Sequence, residues 1–247
     1  MSITKIILEV CADSVDSALV AQQGGAARIE LCQNLAAGGT TPSFAMIETA
    51  RRLLNIGVFV LIRPREGDFL YNDTEFALMQ ADIHCCGKMG CNGVVIGMLN
   101  ADGSIDIRRC ATLIDIARQY NMQVTFHRAF DRCRDLTEGL EAIIELGCER
   151  VLTSGGYSNV QAGTASLSRL VTQARERIII MPGGGVTTEN AAEIIKSTNT
   201  KEIHGSFRSA CPSNMEYHNL QFKENITTLW RTDLEKIKQV IEYFKQI

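Results

Sequence analysis

Two copies of a glutamate–x–cysteine pattern are the first residues in this chain whose types and spacing could do chemistry. Glu9 and Cys11 end one short apolar run, and Glu30 and Cys32 end another. Side chains two apart on a strand point the same way, so each glutamate shares a face with its cysteine. Neighbouring strands lie about 4.8 Å apart, close enough for two sulfurs to hold one soft metal ion. The alternative is that both cysteines are small core residues.

Polar side chains also end the later apolar runs of the chain. They are Arg63 and Arg65 in IRPREGDF, His127 and Arg128 in VTFHRAFD, Ser154 in LTSGG, and His204 and Ser206 in EIHGSFR. Glutamate and histidine are common general acids and bases, and the catalytic candidates are therefore Glu9, Glu30, His127 and His204. The alternative is a salt-bridge layer that only closes the fold, for example Glu30 with Arg63.

Glycines follow the last two apolar runs. The segment IIIMPGGGVTTEN contains Gly183, Gly184 and Gly185, and Gly205 directly precedes Ser206. Without a Cβ, glycine lets backbone N–H groups approach an anion closely. We therefore expect these two segments to bind an anionic group, although a tight turn would also explain the glycines.

Eight apolar, β-branched runs position these residues, and amphipathic helical patterns alternate with them. The runs are Lys5–Val10, Arg28–Leu31, Val58–Ile62, Gly93–Ile96, Gln123–Phe126, Arg150–Leu152, Ile178–Met181 and Glu202–Ile203. This alternation predicts an α/β fold, a (β/α)₈ barrel of the TIM type that forms one domain over residues 1–247. A doubly wound open sheet is the alternative. In such a barrel the strand ends converge on one mouth, so the candidate residues should meet there.

One irregular segment interrupts this pattern near the end of the chain. Residues 209–230 are long for a barrel loop. We expect them to cover the mouth as a lid or to join a subunit interface.

Composition excludes several classes of partner and enzyme. The net charge is −3 and there is no block of lysine and arginine, which argues against nucleic acid. No apolar run approaches the roughly 20 residues that span a bilayer, and the N-terminus does not resemble a signal peptide. We therefore expect a cytoplasmic protein with no membrane partner. No strand ends in lysine, which disfavours a Schiff-base aldolase.

Several longer strings identify the chain as similar to the CutC family, named for copper homeostasis. They are EVCADSVDSALVAQQGGAARIELC, GGTTPS, IRPREGDFLYND, VTFHRAFD, VLTSG and MPGGGVTTEN. The resemblance extends to about Arg208 and implies a (β/α)₈ barrel in a cytoplasmic homo-oligomer, a dimer or tetramer, linked to copper tolerance. The family's paired Glu-x-Cys, Arg-Pro-Arg and Phe-His-Arg-Ala-Phe-Asp patterns match this chain, whereas Phe207 stands where the family has a small residue.

Two functional hypotheses follow, and whether the protein is an enzyme is left open. In the first, a copper homeostasis protein binds Cu(I) through the thiolates of Cys11 and Cys32 at the barrel mouth. In the second, an isomerase, epimerase or lyase acts on a small anionic or phosphorylated metabolite. The residues that would hold that anion are Arg63, Arg65, Arg128, Ser154, Gly183, Gly184, Gly185, Gly205 and Ser206.

Overall fold

The strands lie where the apolar runs predict them. The computed structural model describes residues 6–217, 219, 221 and 228–246, so the expected strand start at Lys5 lies outside the described residues. The eight barrel strands are β1 Ile7–Ala12, β2 Arg28–Leu31, β3 Gly57–Leu61, β4 Gly93–Ile96, β5 Gln123–Phe126, β6 Arg150–Thr153, β7 Ile179–Pro182 and β8 Glu202–Gly205.

A helix follows each barrel strand, with a β-hairpin inserted before the last one. The helices are α1 Val15–Gly24, α2 Phe44–Leu53, α3 Asp73–Lys88, α4 Ile107–Gln119, α5 Leu136–Glu145, α6 Val160–Ala174, α7 Ala191–Thr198 and α8 Leu234–Phe244. Side-chain caps begin several of them: Ser43, the expected cap of α2, accepts a hydrogen bond from the N–H of Met46. No helix in the described part of the chain is both long and apolar enough to cross a bilayer.

The strands form a parallel ring in the order β7-β6-β5-β4-β3-β2-β1-β8. At the closing edge, the hydroxyl of Thr200, just before β8, donates to the carbonyl of Ile180 in β7. This arrangement confirms the predicted barrel over the open sheet. Its register places Glu9 opposite His204 on one side, and Cys11 opposite Glu30 on the other.

The barrel interior is filled by charged side chains as well as apolar ones. Arg28 is buried and bonds the carboxylates of both Glu9 and Glu202. Arg150, on β6, bonds Glu202 on β8 at 3.2 Å. Both guanidinium groups lie over the ring of Phe59, 5.4 and 5.1 Å from its centroid. Buried charges are tolerated only when they are paired in this way.

Part of the irregular segment forms a two-stranded antiparallel hairpin, β9 Arg208–Pro212 and β10 Thr228–Thr232. Its base lies against α1, where the N–H of Thr232 donates to Ser17. Most of the hairpin tip lies outside the described residues, so its expected role as a lid or interface stays a prediction.

Removing the central cation should destabilise the barrel strongly. Arg28→Met keeps similar volume but leaves Glu9 and Glu202 buried without their shared partner. We expect the free energy of unfolding to fall by about 3–5 kcal/mol, measured by urea unfolding. The control is Arg134→Met, because Arg134 pairs with Asp102 at the surface, where the two side chains are 54% and 55% exposed. An equal effect of the two substitutions would contradict the assigned role of Arg28.

Candidate functional site

The two cysteine side chains meet inside the carboxyl end of the barrel. The sulfurs of Cys11 and Cys32 are 3.5 Å apart, and both residues line the cavity at the mouth. The hydrogen bond between them, burial and the nearby carboxylates raise the pKa of the Cys11 thiol well above its usual range. The Cys11 thiol therefore keeps its proton until a ligand displaces it.

His204 is fixed between two glutamates beside these thiols. Its Nδ1 lies 2.8 Å from Glu9 and its Nε2 lies 3.4 Å from Glu30. Burial opposes ionisation of Glu9, but Arg28 and His204 outweigh it and lower the pKa of Glu9 to about 2. Burial and the neighbouring Glu9 raise the pKa of Glu30 to about 7, although His204 acts in the opposite direction. Burial also opposes charge on His204, yet the two carboxylates raise its pKa.

Cys11, Glu30 and His204 form a possible metal-ligand set. One ligand atom from each residue lies within 4.8 Å of those of the other two. Metal–sulfur bonds are about 2.3 Å long, so sulfurs 3.5 Å apart can share one ion at an S–metal–S angle of about 100°. Such an angle leaves room for a third ligand, and His204 is a candidate because its ligand atom lies within 4.8 Å of the Cys11 sulfur.

The mouth encloses a cavity of about 560 Å³, a size typical of small-molecule sites. Its charged lining is mostly basic. The arginine and lysine residues are Arg63, Arg128, Arg208 and Lys236, and the acidic residues are Glu30 and Glu189.

Arg63 holds the loops of the rim and does not pair with Glu30. Its guanidinium donates to the backbone carbonyls of Ala37, Gly39 and Gly67 at 3.1, 2.6 and 3.0 Å. The salt bridge considered from the sequence is therefore absent, because His204 rather than Arg63 is the basic group beside Glu30.

Arg128 is oriented by groups behind it. Its Nε donates to Asp131 at 2.7 Å and its Nη2 donates to the hydroxyl of Ser154 at 2.8 Å. Asp131 in turn accepts from the backbone N–H groups of Ser154 and Gly156. Asp131 ends the VTFHRAFD string, but the sequence analysis gave it no site role; its position three residues after Arg128 was the signal for this contact.

His127 is a buried, neutral imidazole. Its Nδ1 accepts a hydrogen bond from the N–H of Ala129 at 3.1 Å, which leaves the proton on Nε2. Burial and the charge of Arg63 lower the pKa of His127 to about 3. A Cβ at Gly97 would lie 2.5 Å from the ring, so only glycine at that position of the β4 end leaves space for it.

The two glycine segments border the same cavity. Gly184 and Gly185 adopt left-handed φ angles of 98° and 84°, and a Cβ on Gly184 would lie 2.7 Å from Arg128. The N–H of Gly183 instead bonds the carbonyl of Thr153, within the barrel wall. Phe207 is buried, and its ring packs against Gly205, where a Cβ would lie 2.7 Å away.

The structure brings most of the predicted site residues to one cavity. Those that line it are Cys11, Glu30, Cys32, Arg63, His127, Arg128, Gly184, Gly185, His204, Gly205 and Ser206. Four others are not in the lining: Glu9 lies below His204, Ser154 behind Arg128, Gly183 within the barrel wall, and Arg65 bonds Glu75 and Asp68 on the outer loop. Sequence reasoning did not identify Lys236 or Glu189, which enter the lining from distant parts of the chain.

Comparison with known proteins relates this chain to one family. The sequence profile of the CutC family matches residues 6–209. The human copper homeostasis protein cutC homolog is 47% identical over 213 residues, which cover 86% of this chain and 77% of the human one. A family protein CutC from Vibrio vulnificus (strain YJ016) is 48% identical over 210 residues, covering 85% and 84% of the two chains.

Solved structures agree with the sequence comparison. A crystal structure assigned as copper homeostasis protein CutC from Streptococcus agalactiae has a TM-score of 0.78 and 35% identity, and it covers 81% of this chain and 98% of its own. Thiamine phosphate pyrophosphorylase from Pyrococcus furiosus has a TM-score of 0.61 at 17% identity, with coverage of 98% and 97%. At that identity the likeness extends to the fold alone.

We expect His127 to stay neutral across the physiological range. Nitrogen NMR should show the Nε2–H tautomer from about pH 5 to 8, whereas a solvent-exposed histidine titrates near its usual value of 6.5. Because the folded-state pKa is lowered, the unfolded chain binds the extra proton, and His127 should reduce stability as the pH falls from about 6.5 towards 3. A titration midpoint near 6.5 in the folded protein would contradict this.

Proposed function

The chain belongs to the CutC family, and from this premise we propose that it serves copper homeostasis by binding Cu(I) through Cys11 and Cys32 at the barrel mouth. The observation that carries the proposal is the 3.5 Å separation of the two sulfurs inside the cavity. Thiolates are soft ligands that select Cu(I) over harder ions. Copper is here the cargo of the protein, and the site of action that we propose is the cytoplasm, where thiols stay reduced.

The surrounding groups support metal capture by this pair. Binding requires loss of thiol protons, and His204 can complete the coordination through Nε2. Glu9 and Arg28 hold His204 in place from below, as outer groups commonly do for a metal-binding imidazole. The pair is thus a prearranged site that needs little movement to accept an ion.

A second candidate function is acid–base catalysis at the same mouth. Glu30 borders the cavity and has a pKa of about 7, so it can both accept and return a proton near neutral pH. His204 lies 3.4 Å away as its proton partner. These features fit an isomerase, epimerase or lyase for a small anionic metabolite, and the copper proposal does not require them.

The copper proposal predicts the loss of one tight Cu(I) equivalent from a double variant. Cys11→Ser with Cys32→Ser changes size little but removes both soft ligands. Anaerobic titration of Cu(I) against a competing chelator measures the result. We expect the variant to lose that equivalent while its thermal melting temperature changes only modestly.

A matched control is available in a second pair of neighbouring buried cysteines. Cys86 and Cys91 also interact through their side chains, but they flank the end of α3 outside the barrel mouth. Replacing both by serine should leave Cu(I) binding unchanged. If the control pair abolishes the equivalent, or the mouth pair does not, the assignment to Cys11 and Cys32 fails.

A further inference from the structure

The proposed binding of Cu(I) does not account for the basic lining of the mouth. Arg63, Arg128, Arg208 and Lys236 border the cavity in a protein whose net charge is −3. A cationic wall repels a metal ion and attracts an anion. The basic residues are thus a feature that the thiol chemistry leaves unexplained.

Arg128 presents part of its guanidinium to this cavity. Asp131 and Ser154 engage Nε and Nη2, and within the described part of the chain no acceptor bonds Nη1. The side chain is 39% exposed, and the glycine backbone at Gly184 lies against it without a Cβ in the way. An arginine held from behind in this way is preorganised to bind an anionic group.

A second donor at the mouth also lacks a partner. His127 is 4% exposed, and its Nε2–H finds no acceptor among the residues the structure describes. The ring of Phe69 lies between Arg63 and His127, 5.2 Å from the guanidinium and 5.0 Å from the imidazole centroid. An unpaired donor is costly when buried, and a ligand oxygen in the cavity would satisfy Nε2 of His127.

We propose that the mouth binds a small metabolite through its anionic oxygens, with Arg128 holding the anionic group and the Nε2–H of His127 donating to a second ligand oxygen. This site uses neither thiol, so it stands whether or not the cysteines bind copper. His127 acts as a hydrogen-bond donor and not as an acid or base, since a neutral imidazole donor can stabilise charge on a bound oxygen without releasing its proton.

Access to His127 requires one side-chain movement. Nε2 is shielded from solvent, and the half-buried ring of Phe69 packs against the imidazole. The backbone carbonyl of Phe69 accepts from Leu99, so the loop itself is tied to the β4 end. The proposal therefore requires the Phe69 side chain to rotate so that the donor reaches the cavity.

The test uses three probes and isothermal titration calorimetry on the full chain. Inorganic phosphate carries one anionic group, malonate carries two carboxylates, and 2-phosphoglycolate carries a phosphate and a carboxylate. Binding of phosphate and 2-phosphoglycolate but not malonate would assign a phosphate ligand. Binding of malonate but not inorganic phosphate would assign a carboxylate ligand. We expect 2-phosphoglycolate or malonate to bind with a Kd below about 1 mM.

Two substitutions at His127 separate the donor from the structural role of the ring. In His127→Asn the amide oxygen can still accept from Ala129, but the Nε2 donor is lost. In His127→Gln the amide nitrogen can occupy the Nε2 position. Affinity for the probe should fall about tenfold or more in the Asn variant and be largely retained in the Gln variant.

Further variants test the role of Arg128 and whether the anion site is independent of copper binding. Arg128→Gln should weaken probe binding about tenfold or more. The control Arg177→Gln should not, because Arg177 pairs with Glu141 beside the amino end of β7, away from the mouth. The Cys11→Ser, Cys32→Ser protein should keep probe binding even where it loses Cu(I).

Circular dichroism would verify that each variant is folded before its affinity is compared. The proposal is overturned if none of the probes binds the parent protein at millimolar concentration, or if folded His127→Asn and Arg128→Gln bind as tightly as the parent. Loss of probe binding in the double cysteine variant would also overturn it, since the anion site would then not be separate from the thiols.

Discussion

The site depends on one buried cation, the guanidinium of Arg28. It bonds Glu9 and Glu202 inside the barrel, and this pairing is what permits Glu9 to stay ionised with no solvent contact. Ionised Glu9 then holds His204 by Nδ1, and His204 faces Glu30 through Nε2. Glu9 and His204 are thus each favoured in the charged form by a neighbouring group. Because burial penalises every unpaired charge in this series of contacts, replacing Arg28 should also disturb His204 at the mouth.

The two proposed sites at this mouth use different atoms. The soft ligands belong to β1 and β2, where Cys11 and Cys32 meet beside His204. The hydrogen-bond donors for an anion come from the opposite side of the ring, where His127 and Arg128 follow β5. Family membership links the chain to proteins named for copper homeostasis, whereas the basic wall is a property of its own residues. A metal site and a metabolite site can therefore be tested separately in one protein.

Much of the fold and of the site composition could be predicted from the sequence, but not the function of each residue. The spacing of apolar runs was sufficient for the barrel, and the strand-end rule brought Glu30, His127 and His204 to one cavity. The rule could not distinguish Arg63, which borders the cavity, from Arg65, which turns to Glu75 and Asp68. Both follow the same strand, and only the course of the loop separates them.

The sequence by itself determined which residue types lie at the mouth, because local patterns of apolar and polar residues determine the strands and their parallel topology. Only the tertiary structure decided their protonation and partners. Glu9 and Glu30 stand in the same triplet pattern, yet the pKa of Glu9 falls to about 2 and that of Glu30 rises to about 7. The difference arises because the neighbouring strands β2 and β8 bring Arg28 and His204 into direct contact with Glu9, whereas Glu30 has His204 beside it at 3.4 Å. A pKa depends on charges and burial within a few ångströms in space, and those neighbours are distant along the chain.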